Sequence, residues 1–428
     1  MTGVSSDLVI GLDMGTSGAR AVAMNPDGVV LATGARRLAD VSEDHRSPEA
    51  WWTVIGSALR QVLDQVDRER VRALAIDGTS GTILAVDASG TVLTTPMMYN
   101  DPVKDEAILY RIAAHAPPDS AAHGATSGLA KALVLQVLPD VAHILHQADW
   151  LAGRFSGRFD LTDENNALKT GYDPVARQWP DWMEKTGLHR HLLPKVLAAG
   201  EPMGVISAEV GRVFGLPEDV LVIAGTTDGC ASFLATGASH LGDGVTALGS
   251  TLTVKMLCDR PLFAPEYGIY SHRIGNMWLA GGASNSGGAV LAAHFTAEQM
   301  AALSARIDPA QESGLDFYPL SKPGERFPLN DPSLQPRMTP RPERDEDFLH
   351  ALLEGIANIE KLAYGRLEAL GAPPLAGLYS VGGGAQNRVW SAIRQNKLQV
   401  PFLSACSEEA AAGTARLALK GAGLGGLS

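Results

Sequence analysis

The first residues of the chain form three short apolar runs separated by turn-forming residues. The runs Leu8–Asp13, Ala19–Met24 and Val29–Thr33 are divided by Gly15–Gly18 and by Asn25–Gly28. Apolar runs of this length between clusters of Gly, Asn, Asp and Pro predict β-strands joined by tight turns. The chain is therefore expected to begin with an antiparallel meander, which a purely parallel sheet does not have.

Helical periodicity follows in two segments. Residues 48–66 have a proline in the first turn, and Ser47 is placed to cap them. In the segment Asp347–Leu370, apolar residues recur every three or four positions, and Asp345 or Asp347 can cap the start. Strands that alternate with such helices predict an α/β fold.

A turn of glycine, threonine and serine recurs along the chain. Gly15–Gly18 and Gly78–Gly81 have the same four residue types after a strand, and Gly249–Thr251 lies in a related setting. Such turns are common in α/β proteins, but here one opens each half of the chain. We therefore place a boundary near Gly237, which gives an N-terminal domain of residues 1–237 and a C-terminal domain of residues 238–428.

Three consecutive glycines mark a further junction in the second half. Ala376–Val381 predicts a buried strand, Gly382–Gly384 a tight turn and Gln386–Asn396 a helix. A glycine turn between a strand and a helix is typical of nucleotide-binding sites, because backbone N–H groups are accessible there.

Charge and cysteine content exclude several classes of function. The chain has 47 acidic and 35 basic residues, a formal net charge of −12, and no basic run longer than a pair such as Arg36-Arg37. This argues against binding to nucleic acid or to an anionic membrane. Its 3 cysteines have no CxxC spacing, which argues against a disulfide scaffold and a cysteine zinc site. We expect a soluble cytoplasmic protein, monomeric or homodimeric, with small-molecule partners.

Familiar catalytic motifs are missing from the sequence. No Gly-Lys dipeptide is present, which excludes a Walker A loop, and neither the HExxH zinc motif nor the G-x-S-x-G nucleophile motif is present. The nearest serine motifs are the glycine turns described above.

Asp13 is the first candidate for a functional carboxylate. It ends an apolar strand just before the turn that contains Thr16 and Ser17. Backbone N–H groups and hydroxyls of such a turn can hold phosphate oxygens, and a carboxylate beside them can face Mg²⁺ through water. The alternative is that Asp13 only caps the turn.

Asp228 is the second candidate. It follows the apolar run Val220–Ala224 and precedes a small-residue helix, Cys230–Ala235. A carboxylate at the end of a strand can act as a general base, because ligands of α/β sheets lie there. It can equally be the N-cap of the helix.

Together, these motifs resemble the FGGY carbohydrate kinases of the actin/hexokinase/Hsp70 superfamily. The resemblance is carried by Gly11–Arg20, Gly225–Asp228, Leu248–Thr251 and Gly382–Asn387, whose order and spacing cover nearly the whole chain. It implies two ribonuclease-H-like (actin-like ATPase) domains with a central cleft. The sugar would be held mainly by the first domain and ATP by the second.

The resemblance also implies site residues. Asp228 would be the catalytic base, and Asp13 would face Mg²⁺, with water between them. The sugar contacts implied are Asp13, Ser17, Gly18, Ala19, Arg20, Ser80 and Asp228. The ATP contacts implied are Thr16, Ser17, Gly249, Ser250, Thr251, Gly383, Gly384, Ala385, Gln386 and Asn387.

Within the family, the chain resembles most the short cyanobacterial and plant-type kinases assigned to D-ribulose. Segments behind this narrower match include Gly281–Asn285 and Gly324–Pro328. Xylulokinases usually carry a Gln-His-Gly segment where this chain has Gly78–Gly81, and W-x-D-x-R where it has Tyr99–Lys104. The expected activity is ATP-dependent phosphorylation of D-ribulose. The alternatives are a kinase for D-xylulose or another small polyol, and a silent actin-like protein that binds ATP or sugar.

Overall fold

The computed structural model describes residues 7–425, and these fold as two compact units. The first unit contains the residues up to Gly237, a short segment His272–Asn276, and the residues from Glu409 onward. The second unit contains Ala238–Ser271 and Met277–Glu408.

Both units mix strands and helices. The elements of the first unit are β1 (Leu8–Gly15), β2 (Gly18–Met24), β3 (Val30–Arg37), α1 (Pro48–Leu63), β4 (Val71–Gly78), β5 (Ile83–Val86), α2 (Glu106–His115), α3 (Gly128–Leu135), β6 (His143–His146), α4 (Gln147–Ser156), β7 (Leu161–Asp163), α5 (Glu164–Leu168), α6 (Trp182–Lys185), β8 (Lys195–Leu197), β9 (Pro202–Val205), α7 (Ala208–Phe214), β10 (Leu221–Ile223), α8 (Asp228–Ala235), β13 (His272–Ile274) and α13 (Ala410–Gly421). Those of the second unit are β11 (Asp243–Leu248), β12 (Leu252–Cys258), β14 (Met277–Ala283), α9 (Gly288–Ala292), α10 (Ala297–Ser304), α11 (Asp345–Ala369), β15 (Gly377–Val381), α12 (Arg388–Leu398) and β16 (Phe402–Leu403).

The main sheet of the first unit has the strand order β3-β2-β1-β4-β10-β9. Strands β1, β2 and β3 pair antiparallel, which confirms the predicted meander, whereas β4 runs parallel to β1 and β10 parallel to β4. Helix α1 lies against the meander, and the Ser47 side chain accepts a hydrogen bond from the N–H of Ala50, as the sequence predicts. The three parallel strands end at the same edge of the sheet.

The second unit repeats this scheme. Its strands follow the order β14-β12-β11-β15-β16, with β11 and β12 antiparallel and β15 parallel to β11. The turn between β11 and β12 contains Gly249–Thr251, as the sequence predicts. An α/β fold with two sheet-containing domains is therefore confirmed.

The helices differ from prediction at three of their ends. Helix α11 begins at Asp345 and its N-cap is Arg344, which makes no side-chain cap hydrogen bond, so the predicted aspartate cap is wrong. Helix α12 begins after Gln386, because residues 383–386 form a 3₁₀ turn and Asn387 caps the helix. Helix α8 begins at Asp228, ahead of the predicted Cys230. No helix within residues 7–425 is long and apolar enough to cross a membrane.

The last residues of the chain belong to the first compact unit. The chain leaves the first unit at Gly237, where the sequence analysis places the boundary, but it returns at Glu409. Helix α13 then packs on β1 and α8. The contact requires glycine: a Cβ on Gly11 would lie 1.9 Å from the Ala411 carbonyl oxygen, and one on Gly413 would lie 1.8 Å from that of Ala231.

Gly413→Ala is expected to destabilise the protein, although alanine normally favours a helix interior over glycine by about 0.5–1 kcal/mol. The added methyl group would overlap backbone atoms of α8, which cannot rotate away. Gly365→Ala in α11 is the matched control, because a Cβ there meets nothing within 4 Å, and it should stabilise the protein slightly. Thermal unfolding of both variants tests this packing, and equal shifts would contradict it.

Candidate active site

Three aspartates lie at the ends of the three neighbouring parallel strands β1, β4 and β10. Asp13 and Asp77 are register partners in the β1–β4 pair. Asp228 follows β10 as the first residue of α8, and Thr227 just before it bridges to Gly78. The sheet therefore brings three carboxylates to one edge.

Asp13 is buried, with only 5% of its surface exposed. The antiparallel register places it opposite Arg20, whose Nη1 lies 3.5 Å from Oδ2, while Arg20 Nε lies 3.0 Å from Glu409. Burial raises the pKa of Asp13, the Arg20 charge lowers it, and the charges of Asp228 and Glu409 raise it. Asp13 therefore faces Arg20 and the neighbouring carboxylates of the site.

Asp77 is a residue that the sequence analysis missed. It is fully buried, and one of its oxygens accepts a hydrogen bond from the Thr414 hydroxyl of α13. Its other oxygen, Oδ1, is buried and has no hydrogen-bond partner among the described residues. Burial and the neighbouring Asp13 charge raise the pKa of Asp77 well above its usual range. A signal was available, because Asp77 ends an apolar run directly before a Gly-Thr-Ser-Gly turn, and Asp13 ends one two residues before the same kind of turn.

Asp77→Asn is expected to stabilise the protein increasingly as the pH rises. A carboxyl whose pKa is raised in the folded state stabilises the protein at pH values below its usual pKa of 3.8. This stabilisation is lost as the pH rises from there through the raised pKa. Asparagine cannot ionise and escapes that loss. We expect a higher melting temperature for the variant near about pH 8 and a difference that shrinks towards about pH 4. A difference in melting temperature that does not depend on pH would contradict a raised pKa of Asp77 in the folded protein.

Asp228 is only partly buried, and its Oδ1 accepts a hydrogen bond of 2.7 Å from the N–H of Gly229. The N-cap of α8 is Thr227, which makes no side-chain cap hydrogen bond. The alternative that Asp228 is the N-cap is therefore wrong. Its charge acts on both Asp13 and Asp77, so it belongs to the same cluster.

The predicted contact residues in and after the turn between β1 and β2 are of two kinds, exposed and buried. Thr16, Ser17 and Arg20 are exposed, so their side chains are available to a ligand. Ala19 is 2% exposed and its methyl group packs in the hydrophobic core. Gly18 is also buried, since a Cβ there would lie 2.2 Å from the Arg36 carbonyl oxygen. A sugar contact at Gly18 or Ala19 would therefore have to be made by the backbone.

The predicted contact Ser80 lies in a well-supported loop. Its Oγ is buried and has no hydrogen-bond partner within residues 7–425. Thr79 beside it is already bonded to Thr82, at 2.6 Å, and to Gln147, at 2.8 Å. Lys131, which the sequence analysis missed, is fully buried and donates to the Gly81 carbonyl at 2.8 Å. Burial lowers its pKa to about 8. Side-chain hydrogen bonds from Gln147 and Lys131 therefore hold the loop, and the Ser80 hydroxyl takes no part in them.

The second unit contains a cavity of about 540 Å³. The predicted ATP contacts Gly383, Gly384, Gln386 and Asn387 line one side of it, whereas Ala385 does not line it. The other walls are mainly apolar, from Leu248, Leu291, Met300, Ala301, Ala305, Val389 and Trp390. An apolar slot with a few polar groups suits a flat heterocycle.

The predicted phosphate turn lies directly beside this cavity. Gly249 and Ser250 are exposed, and they follow Leu248, which lines the cavity. Gly382 approaches so closely that a Cβ would lie 2.9 Å from the Leu248 carbonyl oxygen. The structure thus brings together the two predicted nucleotide segments of the second half.

The carboxylates fit a divalent cation only with help from a ligand. Within the described part of the chain, no group of three or more His, Cys, Asp or Glu side chains could hold a metal ion by itself. Asp13 and the unpartnered oxygen of Asp77 nevertheless offer hard oxygen donors, with the Arg20 guanidinium 3.5 Å from Asp13. Such donors suit Mg²⁺ that keeps its water and is bound mainly by phosphates.

Sequence comparison finds relatives along most of the chain. Residues 8–110 and 134–235 match the N-terminal domain of the FGGY family of carbohydrate kinases, and residues 223–422 match its C-terminal domain. The xylulose kinase of Escherichia coli K12 is 27% identical over 90% of this chain and 83% of the relative. The L-fuculokinase of Salmonella typhi is 25% identical over 93% of this chain and 89% of the relative.

Structural comparison agrees on the fold. A crystal structure described as a "xyloylose kinase" from Brucella ovis superposes with a TM-score of 0.84 at 22% identity, covering 97% of this chain and 90% of that one. At this level of identity the likeness establishes the fold.

Proposed function

Because the chain belongs to the FGGY family of carbohydrate kinases, we propose that it transfers the γ-phosphate of ATP to a free ketopentose, D-ribulose in the first place. The proposal rests on two features, a carboxylate cluster in the first unit and a cavity of nucleotide size in the second. Phosphoryl transfer depends on positioning and charge stabilisation, which these features can supply.

The sugar is assigned to the first unit. Ser80 offers an unpartnered hydroxyl, and Arg20 and Asp228 offer a donor and an acceptor on the same sheet edge as Asp13. A polyol needs such alternating donors and acceptors, since its hydroxyl groups do both.

ATP is assigned to the second unit. The adenine would lie against the apolar walls near Met300 and Trp390, and the phosphates would lie at the Gly249–Thr251 turn, where Gly249 and Ser250 are exposed. Asp13 would hold Mg²⁺ through water, with Thr16 and Ser17 close by. When bound, the cation neutralises charge on the phosphates.

Asp228 is assigned as general base. Its carboxylate accepts the proton of the sugar hydroxyl while the hydroxyl oxygen forms a bond to the γ-phosphorus. The bond from that phosphorus to the bridging oxygen breaks, and ADP leaves with the electron pair. The products are a sugar monophosphate, ADP and one proton held by Asp228.

D-xylulose is the second candidate substrate, because the curated relatives include xylulose kinases. D-ribulose is preferred because Gly78–Gly81 and Tyr99–Lys104 depart from the xylulokinase pattern. A panel of D-ribulose, D-xylulose, L-ribulose, L-fuculose, ribitol and glycerol, assayed by ADP release, separates them by kcat/KM. The highest kcat/KM for a sugar other than D-ribulose would overturn the substrate assignment, and no turnover with any would favour the silent binding protein.

A further inference from the structure

Two sequence segments singled out above, Gly281–Asn285 and Gly324–Pro328, meet in the structure at one buried side chain. Glu325 is 2% exposed. Its Oε1 accepts the N–H of Asn285 at 2.7 Å and of Arg326 at 3.0 Å. Its Oε2 accepts the hydroxyls of Ser284 at 2.5 Å and Tyr318 at 2.9 Å. The N–H of Phe327 also points to Oε1, at 3.5 Å, so both carboxylate oxygens accept hydrogen bonds from several buried donors.

The Ser284 end of this cluster is tied to the phosphate turn. Ser284 Oγ accepts the N–H of Ser286 at 2.9 Å. The backbone of Ser284 donates to the Leu252 carbonyl at 2.9 Å, and Leu252 donates to Ser286 at 2.8 Å. Leu252 is the first residue after Gly249–Thr251. A continuous series of hydrogen bonds through Ser284 and Ser286 therefore connects Glu325 to the end of the turn.

The next residues of that segment support the turn itself. Gly288 donates its N–H to the Gly249 carbonyl at 2.9 Å, and Ala289 donates to Ser250 at 3.0 Å. Gly287 packs so closely that a Cβ would lie 2.7 Å from backbone atoms of Thr251. Residues 287–289 therefore hydrogen-bond to and pack against the turn, and they directly follow the segment that Glu325 holds.

We propose that Glu325 is a positioning residue that holds the Gly249–Thr251 turn in the conformation that binds nucleotide phosphates. The inference rests on the proposed function, because it takes this turn as the phosphate site. It separates two parts of nucleotide recognition. The cavity near Trp390 recognises the nucleoside, and the Glu325 cluster sets the contacts to the phosphates.

The sharpest variant is Glu325→Gln. Glutamine keeps the size of the side chain but loses its charge and turns one acceptor into an NH₂ donor. If the NH₂ group faces the N–H groups of Asn285 and Arg326, buried donors meet without an acceptor, and if it faces Ser284 and Tyr318, both hydroxyls must reverse their hydrogen bonds. Charge-assisted hydrogen bonds are lost in both cases, so the segment is expected to move and the turn to move with it. The cavity keeps its lining residues, because Glu325 does not line it.

The experiment is calorimetric binding of ATP and of adenosine to the full chain, without sugar. Glu325→Gln is expected to weaken ATP binding by about tenfold or more and to change adenosine binding by less than about twofold. Ser284→Ala, which breaks the link to Ser286 but keeps the charge, should give a smaller loss in the same direction. Ser284→Ala tests the proposal in its place if Glu325→Gln does not fold.

Glu354→Gln is the matched control. Glu354 is another buried glutamate of the second unit that accepts hydrogen bonds from a loop serine, Ser313, and it lines neither the cavity nor the turn. Its variant should leave the ratio of ATP to adenosine affinity unchanged. If Glu325→Gln also leaves that ratio unchanged, or weakens both ligands equally, the positioning role is overturned. If the wild-type protein binds neither ligand, the proposed function itself fails.

Discussion

Asp228→Asn is expected to lower the turnover of sugar phosphorylation by about 10²–10⁴-fold, the usual contribution of a general base. Asparagine keeps the size and the oxygen that accepts the Gly229 N–H. It cannot take a proton from the sugar hydroxyl at neutral pH. ATP affinity should be unchanged, because the nucleotide cavity is lined by residues of the second unit.

Steady-state kinetics with saturating ATP and sugar measure this effect. Glu106→Gln is the matched control, because Glu106 is also the first residue of a helix in the first unit but is exposed on α2. The control should keep the wild-type turnover. Near wild-type turnover of Asp228→Asn would show that another group takes the proton.

The second large effect concerns stability. Glu360 and Arg394 form an ion pair whose side chains are both 0% exposed, with contacts of 2.6 and 2.7 Å. Thr246 also donates to Glu360, and Arg394 donates to Ser380. Arg394→Met would leave the carboxylate buried without its cation, so the free energy of unfolding should fall by about 3–5 kcal/mol.

Urea denaturation of three variants tests this interpretation. The double variant Glu360→Leu/Arg394→Met removes both charges and should be less destabilised than the sum of the single variants. A loss of less than about 1 kcal/mol in Arg394→Met would mean that the pair is solvated and adds little to the second unit.

The antiparallel opening and the two glycine turns were predictable because their signals are local. A turn needs particular residues within four positions, and the runs Leu8–Asp13 and Ala19–Met24 have the length of strands. The same holds for the Ser47 cap of α1. For Asp13 and Asp228, the position at the end of an apolar run was enough to predict a place at the sheet edge.

Contacts over long separations were not predictable in this way. Asp77 stands out only because β1 and β4 pair in register and Thr414 reaches it from the far end of the chain. The return of α13 to the first unit depends on the fit between Gly413 and Ala231, which no local pattern shows. The burial of the Ala19 side chain has the same origin, because alternation along β2 decides which side chains enter the core.

Phosphorus NMR of the reaction of D-ribulose with Mg²⁺ and ATP tests the central claim most directly. The proposed function predicts that a sugar monophosphate and ADP appear in equal amounts, and that both depend on the presence of the sugar. Binding of ATP with no new phosphate ester, or ADP released together with inorganic phosphate alone, would contradict the assignment as a kinase of this sugar.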